Sequence, residues 1–296
     1  MQASRHDRFA SAIGAQYEIE RALGRGGAAT VFLAHDRKHD RCVAIKALHA
    51  ELTLALGAER FLAEIRLLAR LTHPYILPLY DSGEAAGVLY FVMPYVSGES
   101  LRERLEREGR LPVPDALRIA RQVAEALGYA HAENVVHRDI KPENILLTST
   151  HALVADFGVA RAISRAADQR TTAAGVAVGT PAYMSPEQAA GETHIDGRAD
   201  IYSLACVLYE MLAGAPPFTG PTPQAVIASR FNSPPPRVTA ARPAAPARAE
   251  AAIVRALALL PAGRYATAAE FAAALPAPDE AATSRGRWRW WPFAVV

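Results

Sequence analysis

Cysteine is scarce in this chain: two thiols in 296 residues, Cys42 and Cys206. They stand far apart and outside any Cys-x-x-Cys pattern, which argues against a disulfide framework and a zinc site and fits a reducing compartment. Both are expected to pack in the core as small apolar side chains. Net charge is equally slight, +2 from 32 basic and 30 acidic residues, too little for a dedicated nucleic-acid binder. No apolar run approaches the ~20 residues that cross a bilayer. The first fourteen residues carry Arg5, Asp7 and Arg8 and show no secretory signal.

One absence is local. Residues 23–31 read Leu-Gly-Arg-Gly-Gly-Ala-Ala-Thr-Val, a phosphate-covering glycine loop, G-x-G-x-x-G-x-V, in which Ala29 replaces the third glycine. By itself the match is weak, because a glycine-rich hairpin turn would look the same.

What is present is ample apolar material, 51% of residues, enough for a substantial core. Short strand-like runs fill the first part: Tyr17–Leu23, Thr30–His35 and Arg41–Leu48 form a meander, and Leu77–Asp81 and Val88–Met93 follow. Between them Glu59–Leu71 has the helical spacing Phe61, Ile65, Leu68. After Pro94 the pattern turns helical. Pro112 and Pro114 open a helix with Leu117, Ala120, Ala124 and Leu127 inside. Ile201–Leu212 is apolar on nearly every face, which predicts a buried central helix stopped by Gly214 and Pro216. Asn232–Arg248 reads as a long surface loop, with helices at Ala249–Leu260 and Ala266–Leu275. The expected architecture is α+β in two lobes, a small β-rich lobe with one key helix and a larger, mainly α-helical lobe, with a ligand crevice between them.

Chemistry-bearing residues cluster along this frame. In the strand Val43-Ala44-Ile45-Lys46, Ala44 and Lys46 share one face, and an inward ammonium needs an anionic partner. Glu64 lies on the apolar stripe of the following helix and is the natural candidate. His-Arg-Asp-Ile-Lys-Pro-Glu-Asn at 137–144 is followed by Asp-Phe-Gly at 156–158, and the hairpin between them (Ile145–Leu147, Ala152–Ala155) brings Asp139, Asn144 and Asp156 to one end. Oxygen donors without histidine or thiolate suit Mg²⁺.

With these residues in place, the sequence resembles the protein kinase superfamily, whose motif set appears in order between about Tyr17 and Leu275. The run Gly179-Thr180-Pro181-Ala182-Tyr183-Met184-Ser185-Pro186-Glu187-Gln188 is similar to that of bacterial serine/threonine kinases of the eukaryotic-like, Hanks type. Ser185-Pro186-Glu187 departs mildly from the usual Ala-Pro-Glu. The resemblance implies a two-lobed kinase fold with a lead-in at 1–16, a kinase domain at 17–275 (lobes 17–94 and 95–275) and a tail at 276–296.

It also implies roles. Lys46, held by Glu64, would grip the α- and β-phosphates of ATP. Asn144 and Asp156 would hold Mg²⁺, Asp139 would take the proton of the substrate hydroxyl, and Lys141 would steady the transferring phosphoryl group. Gly24, Arg25, Gly26 and Gly27 would form the lid. Leu23, Val31, Ala44 and Leu146 would sandwich the adenine, with Met93 as gatekeeper and Pro94 and Val96 presenting hinge backbone groups. Lys141 and Thr180 point to serine or threonine acceptors in protein substrates. Glu187 is expected to pair with Arg264, and His137 to pack rather than act as a base. Because Arg138 precedes Asp139, a phosphate on Thr171 or Thr172 is expected to activate the enzyme, added by autophosphorylation within a homodimer.

The basic, tryptophan-rich ending from Arg285 resembles the cytoplasmic border of a membrane helix. The expectation is a cytoplasmic kinase domain, with two readings of this ending open: a membrane anchor just beyond Val296 in a longer form, or a disordered tail. Two rivals are weaker. A binding-only pseudokinase would need a lost Lys, Asp or Asn. A P-loop or dinucleotide binder would need a Gly-Lys-Ser/Thr or a helix after the loop.

Overall fold

The computed structural model describes residues 5–50, 53, 58–157 and 181–277. Thr171, Thr172, Thr180, the tail beyond 277 and the side chain of Glu64 lie outside the described residues.

The chain starts with helix α1 (Arg5–Ile13) and then builds a five-stranded antiparallel sheet from β1 (Tyr17–Arg25), β2 (Ala29–Asp36), β3 (Arg41–Leu48), β4 (Asp81–Ala85) and β5 (Val88–Pro94). Spatial order is β1-β2-β3-β5-β4. Register separates the two faces cleanly. Phe32 stands opposite Ile45, and Ile45 opposite Val92. These residues, with Ala34, Val43 and Ala47, form a small apolar core. The alternate set runs Val31 opposite Lys46 and Ala44 opposite Met93, so period-two alternation turns these four to the other face.

α1 explains how the first core is closed. Phe9 and Ile13 are buried, and the Phe9 ring lies 6.4 Å from Phe32 and 5.6 Å from Tyr90. The segment expected as a mere lead-in is therefore a packed part of the small lobe. Each buried side chain of this size contributes ~1.5–3 kcal/mol.

Two further expectations are corrected. The strand read at Leu77–Asp81 begins only at Asp81, because Pro78 has no N–H to give to a ladder. Residues 76–80 instead tie the lobes together. Ile76 bridges in parallel to Val154, and the Leu77 N–H donates to the Val154 carbonyl at 2.9 Å. Cys42 is exposed while Cys206 is buried. Cys42 lies one step from the end of β3, opposite half-exposed His35, past the reach of the apolar cover. Burial pushes the Cys206 thiol up to about 12, which keeps it inert.

Helix α2 (Ala58–Leu68) packs Phe61 and Ile65 behind the sheet. The second lobe opens with β6 (Glu99–Ser100) and α3 (Leu101–Glu108), where Ser100 and Glu103 form a capping box. It continues with α4 (Val113–Ala132), the hairpin β7 (Ile145–Leu147) and β8 (Ala152–Val154), α5 (Pro186–Ala189) and α6 (Arg198–Ala213). α6 is buried from Ala199 through Leu212 and ends at Gly214 with φ 92°, where a left-handed cap suits glycine. α7 (Pro223–Asn232), α8 (Val238–Ala241), α9 (Ala247–Ala256) and α10 (Ala268–Ala274) complete it. α8 interrupts the expected loop Asn232–Arg248: Val238 is buried, and Glu250 accepts from the N–H and hydroxyl of Thr239. Among the described residues no helix is long and apolar enough to cross a membrane.

Candidate active site

The β7–β8 hairpin sets the geometry. Its two ends are clamped where the Ala155 N–H donates to the Asn144 carbonyl at 2.9 Å. This brings the end of the 137–144 loop against Asp156. Within the loop Lys141 Nζ lies 2.6 Å from Asp139 Oδ2. Asn144 Nδ2 donates to the Asp139 carbonyl at 2.8 Å and to its Oδ2 at 3.1 Å. The amide of Asn144 thus holds Asp139 with its nitrogen and keeps its oxygen as the acceptor end.

The other lobe contributes one cation. Lys46 Nζ reaches Asp156 Oδ2 at 2.5 Å, with both side chains mostly buried. Burial works to raise the Asp156 carboxyl, but the charge and hydrogen bond of Lys46, helped by His137 and Lys141, hold it below the ordinary aspartate range. The expected partner Glu64 lies on α2. Asp156 takes φ 65° and Arg138 φ 70°, a region non-glycine residues adopt at a cost of ~1–3 kcal/mol.

That strain is sustained by a support that the motif reading did not foresee. Asp200, fully buried in α6, accepts the His137 N–H at 2.8 Å and the Arg138 N–H at 2.7 Å, and meets His131 Nε2 at 2.8 Å. Its signal was present as one of two carboxylates, with Glu210, in an otherwise largely apolar helix. His137 is buried as well. Its Nε2 meets the Ala155 carbonyl at 2.9 Å, and its Nδ1 accepts the Asp139 N–H at 3.2 Å. Because a carbonyl only accepts, Nε2 carries the proton, and both nitrogens are committed to backbone. His137 is therefore a positioning residue, and its ring packs edge-on against Phe157 at 4.6 Å.

On the small lobe, the glycine loop joins β1 to β2. Gly24 pairs with Val31, and the Gly26 N–H donates to the Ala29 carbonyl at 2.9 Å. A Cβ built on Gly24 or Gly27 would meet nothing within 4 Å. None of Gly24, Gly26 and Gly27 has positive φ. The conformation of the loop itself therefore places no demand for glycine at these three exposed positions. Arg25 is exposed beside it, and Leu23 sits at a β-bulge of β1. Half-buried Leu146 pairs with Ser100 at the floor. Met93 and Pro94 end β5, and Val96 follows in the connection between lobes.

A model of the protein kinase domain matches residues 17–249. The chain belongs to the protein kinase domain family. The serine/threonine-protein kinase PknB of Mycobacterium tuberculosis (strain ATCC 25618 / H37Rv) is 42% identical over 266 residues, 88% of this chain and 42% of the relative. PknB of Mycobacterium leprae (strain TN) is 41% identical over 266 residues, with the same coverage. PknH of Mycobacterium bovis (strain ATCC BAA-935 / AF2122/97) is 40% identical over 270 residues, 89% of this chain and 45% of the relative. The chain thus spans less than half the length of these curated relatives.

In this kinase domain the segment after residue 180 is fastened from below. Arg264 grips Glu187 with two bonds of 2.7 Å, both side chains buried. The pairing expected from sequence is formed. Burial works to raise the Glu187 carboxyl, and the Arg264 bonds and charge hold it below the ordinary glutamate range. Arg102 of α3 bonds Glu143 at 2.9 Å, Glu210 at 2.8 Å and the Tyr183 hydroxyl, which itself donates to Glu210 at 2.6 Å. This four-residue network joins four separate stretches of sequence, and no local pattern announces it.

The donor set suits a hard cation. Asp156 and Asn144 offer oxygens beside Asp139 with no thiolate near, the type of ligand Mg²⁺ takes. Among the described residues no group of three or more His, Cys, Asp or Glu forms an all-protein metal cage.

Proposed function

We propose that the chain is an ATP-dependent serine/threonine protein kinase that moves the γ-phosphoryl group of Mg-ATP to protein hydroxyls. The observation that carries this reading is the convergence of Asp139, Lys141 and Asn144 at one end of the hairpin, with Lys46 reaching across the cleft to Asp156. Mg²⁺ held by Asp156 and Asn144 would neutralise charge between the β- and γ-phosphates. Lys46 binds the α- and β-phosphates. Asp139 accepts the proton of the acceptor hydroxyl and orients its oxygen in line with phosphorus. Lys141, already on Asp139, stabilises the equatorial charge as the phosphoryl group moves. The main-chain-committed His137 leaves Asp139 as the proton acceptor.

Serine or threonine as acceptor is supported by Lys141 at its place in the loop and by the names of the relatives. The Arg138 backbone is fixed by Asp200, which sets its side chain as a receiver for a phosphate on Thr171 or Thr172. The test is incubation of the protein with γ-labelled Mg-ATP and a generic basic protein, wild type beside Asp139→Asn, followed by phosphopeptide mapping. Label on serine or threonine from the wild type alone is expected, with Thr171 or Thr172 among the modified sites. Equal label from both proteins, or none from either, overturns the transfer reading. Label elsewhere with neither threonine modified overturns the activation reading.

A further inference from the structure

His49 is the first residue after β3 and lies three positions beyond Lys46. Its backbone N–H donates to the Ala28 carbonyl at 2.9 Å. Its ring Nδ1 meets the Gly27 carbonyl at 3.1 Å, and Nε2 meets Thr30 Oγ1 at 3.2 Å. A carbonyl can only accept, so Nδ1 carries the proton. With Nδ1 protonated in a neutral ring, Nε2 accepts a hydrogen bond from the Thr30 hydroxyl. One tautomer satisfies both contacts, and one residue touches positions 27, 28 and 30 of the glycine loop.

The loop's ends are held by the sheet, Gly24 and Arg25 by pairing with β2 and buried Ala29 by pairing with Leu48, and the tip between them has few bonds. Its own closing bond is Gly26 N–H to Ala29 carbonyl, and its glycines offer no side chain to pack. On the far side, the His49 carbonyl accepts from the Thr53 N–H at 3.0 Å and from its hydroxyl at 3.3 Å, five residues before α2 begins. His49 therefore stands where the lid, the lysine strand and the approach to the Glu64 helix meet.

We propose that His49 is the positioning residue of the phosphate lid. Through Gly27 and Thr30 it fixes the height of the lid over the nucleotide phosphates, in register with Lys46. It supplies from the side the restraint that bare glycines cannot supply from within. This deepens the nucleotide-site reading above and rests on it.

The ring is half-buried at the end of a strand rather than in the core, so its removal leaves the fold intact. The experiment is a titration of Mg-ATP, by binding of a fluorescent ATP analogue and by steady-state kinetics, on wild type, His49→Ala, His49→Phe, His49→Asn and Thr30→Val. His49→Ala and His49→Phe are expected to raise the ATP Kd and KM about five-fold, the scale of two partly exposed neutral hydrogen bonds. The peptide KM should stay within a factor of about two. His49→Asn, whose amide N–H can reach the Gly27 carbonyl, should recover part of the loss, and Thr30→Val should lose about two-fold. Hydrogen exchange of residues 24–30 should quicken in the Ala and Phe variants. A packing role would be rescued by Phe and not by Asn, and that pattern overturns the proposal. Unchanged ATP affinity in the Ala and Phe variants overturns it too, as does an equal rise in the peptide KM. Wild-type protein that binds no Mg-ATP is a different result, visible before any variant is made, and it would remove the nucleotide reading underneath.

Discussion

The two loops that face the cleft are built on opposite plans. The catalytic loop, 137–144, is over-determined: Asp200 takes two successive N–H groups, His137 spends both ring nitrogens on backbone, and Asn144 binds Asp139 twice. Arg138 and Asp156 tolerate positive φ inside that net. Between its strand-paired ends, Gly24–Arg25 and Ala29, the glycine loop is closed by the Gly26–Ala29 backbone bond and, among the described residues, is reached at Gly27 by the side chain of His49. On the proposed function, the contrast follows from the work each loop would do. In-line transfer needs a reacting oxygen held to a fraction of an ångström, whereas a lid must admit and release its ligand. Changes in the catalytic loop should therefore abolish chemistry or unfold the second lobe. Changes in the lid should shift nucleotide affinity by small factors.

The largest break is at Asp139. Asp139→Asn keeps size and the Asn144 contact but removes the proton acceptor, so kcat should fall by about 10³-fold or more, while the ATP KM moves little. Single-turnover transfer with saturating nucleotide measures it. A loss below about tenfold would mean that Asp139 does not take the proton.

Next in size is the support beneath it. Asp200→Ala strands the N–H groups of His137 and Arg138, and the variant should lose about 3–5 kcal/mol in chemical denaturation. Asp200→Asn retains one acceptor and should lose less. If Asp200→Ala unfolds like wild type, the strain of Arg138 is being carried by something else.

The Glu187–Arg264 pair tests the same plan in the segment that follows residue 180. Glu187→Gln should cost about 1–3 kcal/mol at neutral pH. The sign with pH is fixed by the lowered Glu187 carboxyl. A depressed carboxylate contributes above the unfolded-state value, and that contribution drains away as pH falls through the folded one. The stability gap between wild type and Glu187→Gln should therefore be full near neutrality and close below about pH 4. A gap that widens on acidification would show that the pair is not ionised as drawn.

The comparison also explains what could be read from sequence. Asp139, Lys141, Asn144 and Asp156 were readable because their chemistry fixes both residue type and spacing, and the hairpin between them is short enough to be recognised from its own strands. The β-meander and the α6 helix were readable because period-two and all-round apolar patterns are local. α1 was not: its apolar contribution to the small lobe is Phe9 and Ile13, among charged neighbours, and its value lies in a sheet face formed by residues far along the chain. The Arg102–Glu143–Glu210–Tyr183 network was hidden for the same reason, since only the fold brings its members together. At residues 77–81 the apolar run was real, but Pro78 turned it into a connector. Cys42 followed alternation correctly, yet alternation does not say where a sheet face runs out of cover.

The smallest predicted effect is at Ala29, where the third glycine would stand. Ala29 is buried, opens β2 opposite Leu48 and belongs to the main core. Its φ is not positive, so no conformational demand calls for glycine. Its carbonyl closes the lid through Gly26, a backbone bond that glycine would keep. Ala29→Gly removes one buried methyl and loosens a strand, together about 1–2 kcal/mol of stability, which corresponds to a Tm lower by roughly 2–8 °C in a domain of this size. The ATP KM should change less than about threefold, ~0.7 kcal/mol at ~1.4 kcal/mol per decade. Both are read from one preparation, by thermal unfolding and nucleotide titration. Stability and affinity should separate, because the methyl faces the core and the phosphates face the bare backbone beside it. A tenfold KM change with unchanged Tm would reverse that assignment and place the Ala29 side chain at the ligand.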